Sequence, residues 1–157
     1  MKLHKIIFVF FVSFISIYPL CARAQVPPPF EIQKAVTLEE ARQLIGEYSA
    51  RFTKLELDPF MELFSKKAVE NRVLPYADIR EAYRKTIAGS RSIMYNFRIY
   101  TIQTYLQSAL VRGHYEIVQT FKGGGGTAFK GDIQWDLIRE NGVLRIREIN
   151  YGRISLR

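Results

Sequence analysis

Of the residue types that build disulfides and thiolate metal centres, this 157-residue chain has almost none: one cysteine (Cys21) and two histidines (His4 and His114). That scarcity excludes a disulfide framework and the paired Cys/His spacings of zinc modules. No EF-hand spacing of acidic residues is present either, so neither a metal nor a cofactor site is expected. Long apolar runs are also missing. The longest, from Ile6 to Tyr18, covers 13 residues, short of the roughly 20 that cross a bilayer as a helix. No internal repeat, collagen-like period or heptad pattern occurs. Glycine is concentrated at Gly123–Gly126, but the Gly-Lys-Ser/Thr and helix of a phosphate-binding loop do not follow. That tract reads as a hairpin tip.

What is present begins with a delivery signal. Lys2 and Lys5 precede the apolar run, and Ala22-Arg23-Ala24 supplies a small-x-small site, the order of a secretory signal peptide cleaved before Gln25. The expected product is exported, periplasmic or secreted. Residues 1–24 hold three bases and no acid, so their removal lowers the net charge from +8 to +5. Cys21 and His4 leave with them, and His114 is then the only histidine. The remaining 133 or so residues suffice for one core without staples. Residues 25–35, with Pro27-Pro28-Pro29, read as a stiff tether, and residues 36–157 as the domain.

Within the domain, Thr37-Leu-Glu-Glu40 reads as a capping box. Leu38, Ala41, Leu44, Ile45, Tyr48 and Phe52 follow at helical spacing, predicting a helix over 38–54. Asp58-Pro59 predicts a second, short helix to about Ser65, and Asp78 with Glu81 a third over 79–88, stopped by Gly89. After Gly89 the period becomes two. Strands are expected over 93–105, 106–121, 127–139 and 143–154, with Glu140-Asn-Gly142 as a hairpin turn. A helical half followed by long strands indicates an α+β fold, three helices packed on one face of a curled, mostly antiparallel sheet.

Two stretches carry a family resemblance. Tyr48-Ser-Ala-Arg-Phe-Thr-Lys-Leu-Glu-Leu-Asp-Pro-Phe-Met-Glu-Leu-Phe-Ser-Lys-Lys-Ala68 is similar to the aromatic helix end, Asp turn and second helix of the nuclear transport factor 2-like superfamily, which includes SnoaL-like proteins. Ile133-Gln-Trp-Asp-Leu-Ile-Arg-Glu-Asn-Gly-Val-Leu-Arg-Ile146 resembles its final hairpin. The resemblance spans residues 36–154 and implies a conical, cystatin-like fold with an open-ended cavity. Its members include isomerases, dehydratases and binding modules, so the fold alone does not choose a function.

Ketosteroid isomerisation, the best-characterised chemistry in that superfamily, needs a carboxylate base and two donors to an enolate oxygen. In a gapless register Tyr48 matches the tyrosine donor, Gln134 the acidic donor, and Arg72 the base. Arginine cannot accept a proton near neutral pH, which leaves Glu70, two residues earlier, as a substitute. Arg112, His114 and Glu116 alternate onto one strand face: either an acid–base pair in a cavity or a solvated charge ladder. Gln134 and Asp136 are expected to face the cavity with Tyr48, while Trp135 and Leu137 pack elsewhere.

The leading expectation is therefore a non-catalytic SnoaL-like domain that binds a small apolar or amphipathic ligand, or a protein partner, through its cone. Tyr48, Arg72, Gln134 and Asp136 would be its binding residues. The alternatives are an isomerase- or dehydratase-type enzyme, with Glu70 or His114 as base and Tyr48 as donor, and a structural envelope-assembly module. The resemblance also implies a homodimer. Arg145, Arg147, Arg153 and Arg157 with Lys122 and Lys130 read either as a solvated strand face or as a contact with an anionic envelope surface. Nucleic acid is not an expected partner, since no stacking motif accompanies these bases.

Overall fold

The structure, a computed structural model, describes residues 35–152 and the backbone of 154–156. The expected signal peptide and all of the tether but Ala35 lie outside the described residues. Helix α1 (Leu38–Thr53) starts as its capping box predicts: Thr37 Oγ1 accepts from the Glu40 amide at 3.1 Å, and Glu40 Oε2 accepts from the Thr37 amide at 2.9 Å. Its periodic apolar residues Ala41, Leu44, Ile45, Tyr48 and Phe52 are the ones it buries. Among the described residues, no helix is long and apolar enough to cross a membrane.

The second helix differs from its expectation. α2 spans only Leu57–Met61, and Glu56, not Asp58, holds the N-cap position. Phe64 and Ser65 belong instead to strand β1 (Phe64–Glu70). The helix cannot continue because the Leu63 carbonyl already accepts from the Ile146 amide at 2.8 Å, joining this segment to the sheet. Phe64 and Ser65 are both buried and the register shifts between Phe64 and Val69, so β1 lacks the clean period of two that would have announced it. A two-residue strand β2 (Leu74–Pro75) leads into α3 (Tyr76–Gly89). That helix starts three residues earlier than expected, after Pro75, and Asp78 sits in its first turn without capping it. A carboxylate there still favours the helix N-terminus electrostatically.

Strands β3 (Ser90–Thr104), β4 (Ser108–Phe121) and β5 (Gly126–Glu140) follow the predicted pattern closely, whereas the last expected strand, 143–154, is divided into β6 (Val143–Tyr151) and a separate β7 (Ile154–Leu156). Asn141 and Gly142 both take positive φ (51° and 80°), as a type I′ hairpin turn requires. The curved sheet runs β2-β1-β6-β5-β4-β3, with β7 also paired to β5. All its pairings are antiparallel except β1 with β6. The fold is thus α+β, with the helices against one face of the sheet. Between them lies one core, in which Phe60, Phe64, Trp135, Ile146 and Ile149 are almost wholly excluded from solvent.

Candidate functional site

Strand alternation assigns every side chain of the central strands to one of two faces. On β5, Ile133, Trp135 and Leu137 are buried toward the helices, and Asp132, Gln134 and Asp136 therefore point to the outer face. On β4, Val111 and Tyr115 turn inward while Arg112, His114 and Glu116 turn outward. The expectation that Gln134 and Asp136 share a hollow with Tyr48 is corrected here. It is Trp135 that meets Tyr48, its ring centroid 6.0 Å away on the inner side. The gapless match had the strand out of phase by one residue, and one residue reverses the face.

The inner face holds a cavity of about 100 Å³ beneath α1 and α3. Five tyrosines line it, each from a different element: Tyr48 from α1, Tyr83 from α3, Tyr95 from β3, Tyr115 from β4 and Tyr151 from β6. Phe52, Phe129 and Ile133 add apolar wall, and half-buried Thr86 and Gln119 add polar edges. The Tyr48 and Tyr83 hydroxyls are 3.0 Å apart and hydrogen-bonded to each other. Tyr115 donates to the Gly152 carbonyl at 2.7 Å. The Tyr95 hydroxyl is buried without a hydrogen-bond partner. Burial pushes the Tyr48, Tyr83 and Tyr95 hydroxyls well above the usual phenol range, because a phenolate could not be solvated there. The next cause for Tyr48 is the neighbouring Tyr83, and for Tyr83 it is the negative field of Glu70.

Glu70 is the acidic group of this region. It ends β1 with only 7% of its surface exposed. Its Oε1 accepts from the Tyr151 hydroxyl at 2.5 Å, while its Oε2 is buried without a hydrogen-bond partner. The turn that follows holds it in place. Asn71, at φ 49°, donates its amide to the Ile149 carbonyl at 2.8 Å and accepts the Tyr151 amide on Oδ1 at 2.9 Å. Of the residues considered from the sequence, Tyr48 lines this cavity and Glu70 stands behind its Tyr151 wall.

Arg72, His114, Gln134 and Asp136 are on the other side. Arg72 is exposed and 3.9 Å from Glu148 Oε1. His114 Nδ1 is 3.3 Å from Asp132 Oδ1. Gln134 accepts from Arg112 Nε at 3.0 Å and donates to Asp136 Oδ1 at 3.0 Å. Burial raises the Asp136 carboxyl above its ordinary value, against the Gln134 hydrogen bond, and Glu148 adds to the rise. His114 and Glu116 line an open hollow of about 260 Å³ on this outer face with Arg98 and Tyr100, and Arg112, Asp132 and Gln134 edge a second; neither is shared with Tyr48. Among the described residues, no group of three or more His, Cys, Asp or Glu is placed to hold a metal ion.

Tyr83, Tyr95, Tyr115 and Tyr151 were not singled out from the sequence as site residues. The first three occupy the apolar phase of their helix or strand, where a tyrosine reads as core.

No known family model matches the chain, and no curated protein matches it in sequence. Solved structures do. A nuclear transport factor 2-like superfamily protein from Salmonella enterica serovar Typhimurium superposes with a TM-score of 0.65 at 16% identity, over 75% of this chain and 91% of that one. A ketosteroid isomerase-like protein from Erwinia carotovora gives 0.63 at 17% identity, over 77% and 100%. A conserved protein from Planctomyces limnophilus gives 0.70 at 14%, over 75% and 96%. The chain therefore has the nuclear transport factor 2-like fold that its two sequence stretches resemble.

Proposed function

We propose that the protein binds a small apolar or amphipathic molecule in the inner cavity, with the Tyr48–Tyr83 hydroxyl pair and the Tyr151–Glu70 pair meeting the ligand's polar end. The observation that carries this reading is the composition of that cavity: mostly ring and aliphatic surface, with a few convergent polar groups, as small-molecule sites are built. Trp135, the only tryptophan, packs edge-on to Tyr48 and provides a reporter. Titration with a panel of one-ring phenols, ketones and short amphiphiles should change its emission saturably, and Tyr48→Phe should weaken the binding of ligands bearing an oxygen. A flat response across the panel would sink the reading.

A specific observation favours a second reading, in which the site transfers a proton. The unpartnered Glu70 Oε2 is an anomaly in a folded core, where buried polar atoms are normally satisfied. In this reading Glu70 acts as acid and base through Tyr151, with Tyr48 holding a carbonyl oxygen. His114 lies on the outer face and has no part in it. Solvent deuterium exchange into a bound ketone, abolished by Glu70→Gln, would establish catalysis; exchange at the uncatalysed rate would leave binding alone.

Export and self-association belong to the same proposal. The charged start, apolar run and small-x-small site support export, and an exported product retaining Met1 would contradict cleavage before Gln25. Met94 and Val118, cross-strand partners on the outer face of β3 and β4, are both largely exposed, which supports a homodimer through that face. Sedimentation should then show a dimer that Val118→Lys dissociates. Contact with anionic envelope surfaces rests on the basic C-terminal strands, and vesicle binding should fall steeply with salt.

A further inference from the structure

The chain carries 23 Lys and Arg against 15 acidic residues, yet none of the described residues lining the inner cavity is Lys, Arg or His. A cavity without a cation, in a protein that has so many, selects against anions. A buried carboxylate or phosphate would find no counter-charge there, and removing an unpaired charge from water is costly. Glu70 behind the wall would add repulsion.

The same surroundings attract the opposite charge. Aromatic faces carry negative potential, and cations coated with methyl groups lose little hydration on entering a ring-lined site. Tyr95 and Tyr115 stand parallel, 7° apart in plane with centroids at 6.2 Å, and form one wall. Tyr48 contributes a third ring, edge-on to Tyr95 at 5.5 Å. Tyr151, which also lines the cavity, is hydrogen-bonded to Glu70, whose second oxygen has no partner. At about 100 Å³ the cavity is smaller than the ~150 Å³ apolar one that takes up benzene, so it leaves room for a compact head at most, with the rest of the ligand outside.

We propose that the inner cavity takes a small quaternary or methylated ammonium group, held by the tyrosine rings and favoured by the Glu70 carboxylate behind the Tyr151 wall. This rests on the ligand-binding reading above and names the ligand's charge. A primary ammonium is disfavoured because its three donors would need three acceptors. A trimethylammonium needs none, and draws on ring faces and the nearby negative charge alone.

The test compares choline with 3,3-dimethylbutan-1-ol, the same shape with carbon in place of nitrogen, by calorimetry and Trp135 emission on the full chain. Choline should bind on the order of tenfold more tightly. In Glu70→Gln the preference of choline over the alcohol should shrink toward unity, whatever happens to the absolute affinities. The wild-type comparison stands whether or not that variant folds. Equal or tighter binding of the alcohol overturns this inference and leaves the ligand-binding reading intact. Saturable binding of neither compound at millimolar concentration overturns this inference, and a flat response to the panel above as well takes the ligand-binding reading with it. A preference for choline that survives Glu70→Gln removes the carboxylate and overturns the proposal as stated.

Discussion

The two faces of the sheet are made by the same strands, one residue out of phase, and they do different things. Inward, Ile133, Trp135 and Leu137 join Tyr48 and Phe60 in a core that leaves one ring-lined cavity. Outward, Asp132, Gln134 and Asp136 lie beside Arg112 and His114 in a ladder of exposed polar contacts. The polar face attracts attention in a sequence because its residue types are those of catalysis. Yet its groups pair with one another along open hollows rather than around an enclosed core cavity. The inner face uses residues that read as packing, and the arrangement that could hold a ligand is there. A residue's chemistry matters less than whether it is desolvated beside others.

That contrast can be broken from the inside most forcefully. Trp135→Ala should destabilise by about 3–5 kcal/mol, and Gln134→Ala, one residue away, by no more than about 0.5 kcal/mol. Denaturant unfolding of the two variants measures the difference directly, and similar midpoints would mean the faces are misassigned. Next comes Gly131→Ala, on β5 beside the cavity-lining Tyr115. A Cβ there would sit 2.1 Å from the Gly152 carbonyl oxygen and 3.3 Å from the Tyr115 ring, so backbone must move, at about 1–3 kcal/mol. Since Gly152 accepts the Tyr115 hydroxyl, the variant should also lose any ligand response.

A smaller effect is expected where the helix layer is clasped to the sheet. Arg139 of β5 meets Glu40 of α1 at 2.9 Å. The Thr37 amide, first, and Arg139 hold the Glu40 carboxyl down to about 2. A carboxyl whose folded value lies below its unfolded one stabilises above the unfolded value and loses that contribution as pH falls through the folded one. The wild type should therefore weaken between about pH 4.5 and 2 more than Glu40→Gln does, and near neutrality the variant should be less stable by about 1 kcal/mol. Parallel curves would show that the clasp contributes nothing. The smallest effect is on the outer face, where Asp136 has the opposite sign. Its raised value makes its ionisation slightly unfavourable to the fold, so Asp136→Asn should be neutral to slightly stabilising at pH 7, within about 0.5 kcal/mol. A clear loss would reveal a role for that carboxylate that its contacts do not explain.

Much of the fold was legible because local rules agreed with tertiary ones. Thr37 and Glu40 could cap a helix whatever lay around them, and Asn141-Gly142 could form only a narrow class of turn. The long strands from β3 to β6 kept a period of two. β1 was not legible, since Phe64 and Ser65 break that period and its partner β6 lies some eighty residues away. At β5 the alternation of Ile133, Trp135 and Leu137 against Asp132, Gln134 and Asp136 marked the inner phase locally, and the gapless family register ran against it. Glu70 was visible as a substitute base, but its burial and its Tyr151 partner were not, because residues 70 and 151 meet only through the β1–β6 pairing.

Amino-acid order by itself determined the elements with strong local signals, the change from helical to strand period, and hence an α+β architecture, since capping, turn chemistry and periodicity act within a few residues. Tertiary structure alone decided which tyrosines converge, and it brought an acidic side chain from β1 behind the wall they form. Those outcomes depend on long-range strand pairing and on exclusion of water, neither of which is encoded in any short stretch of chain.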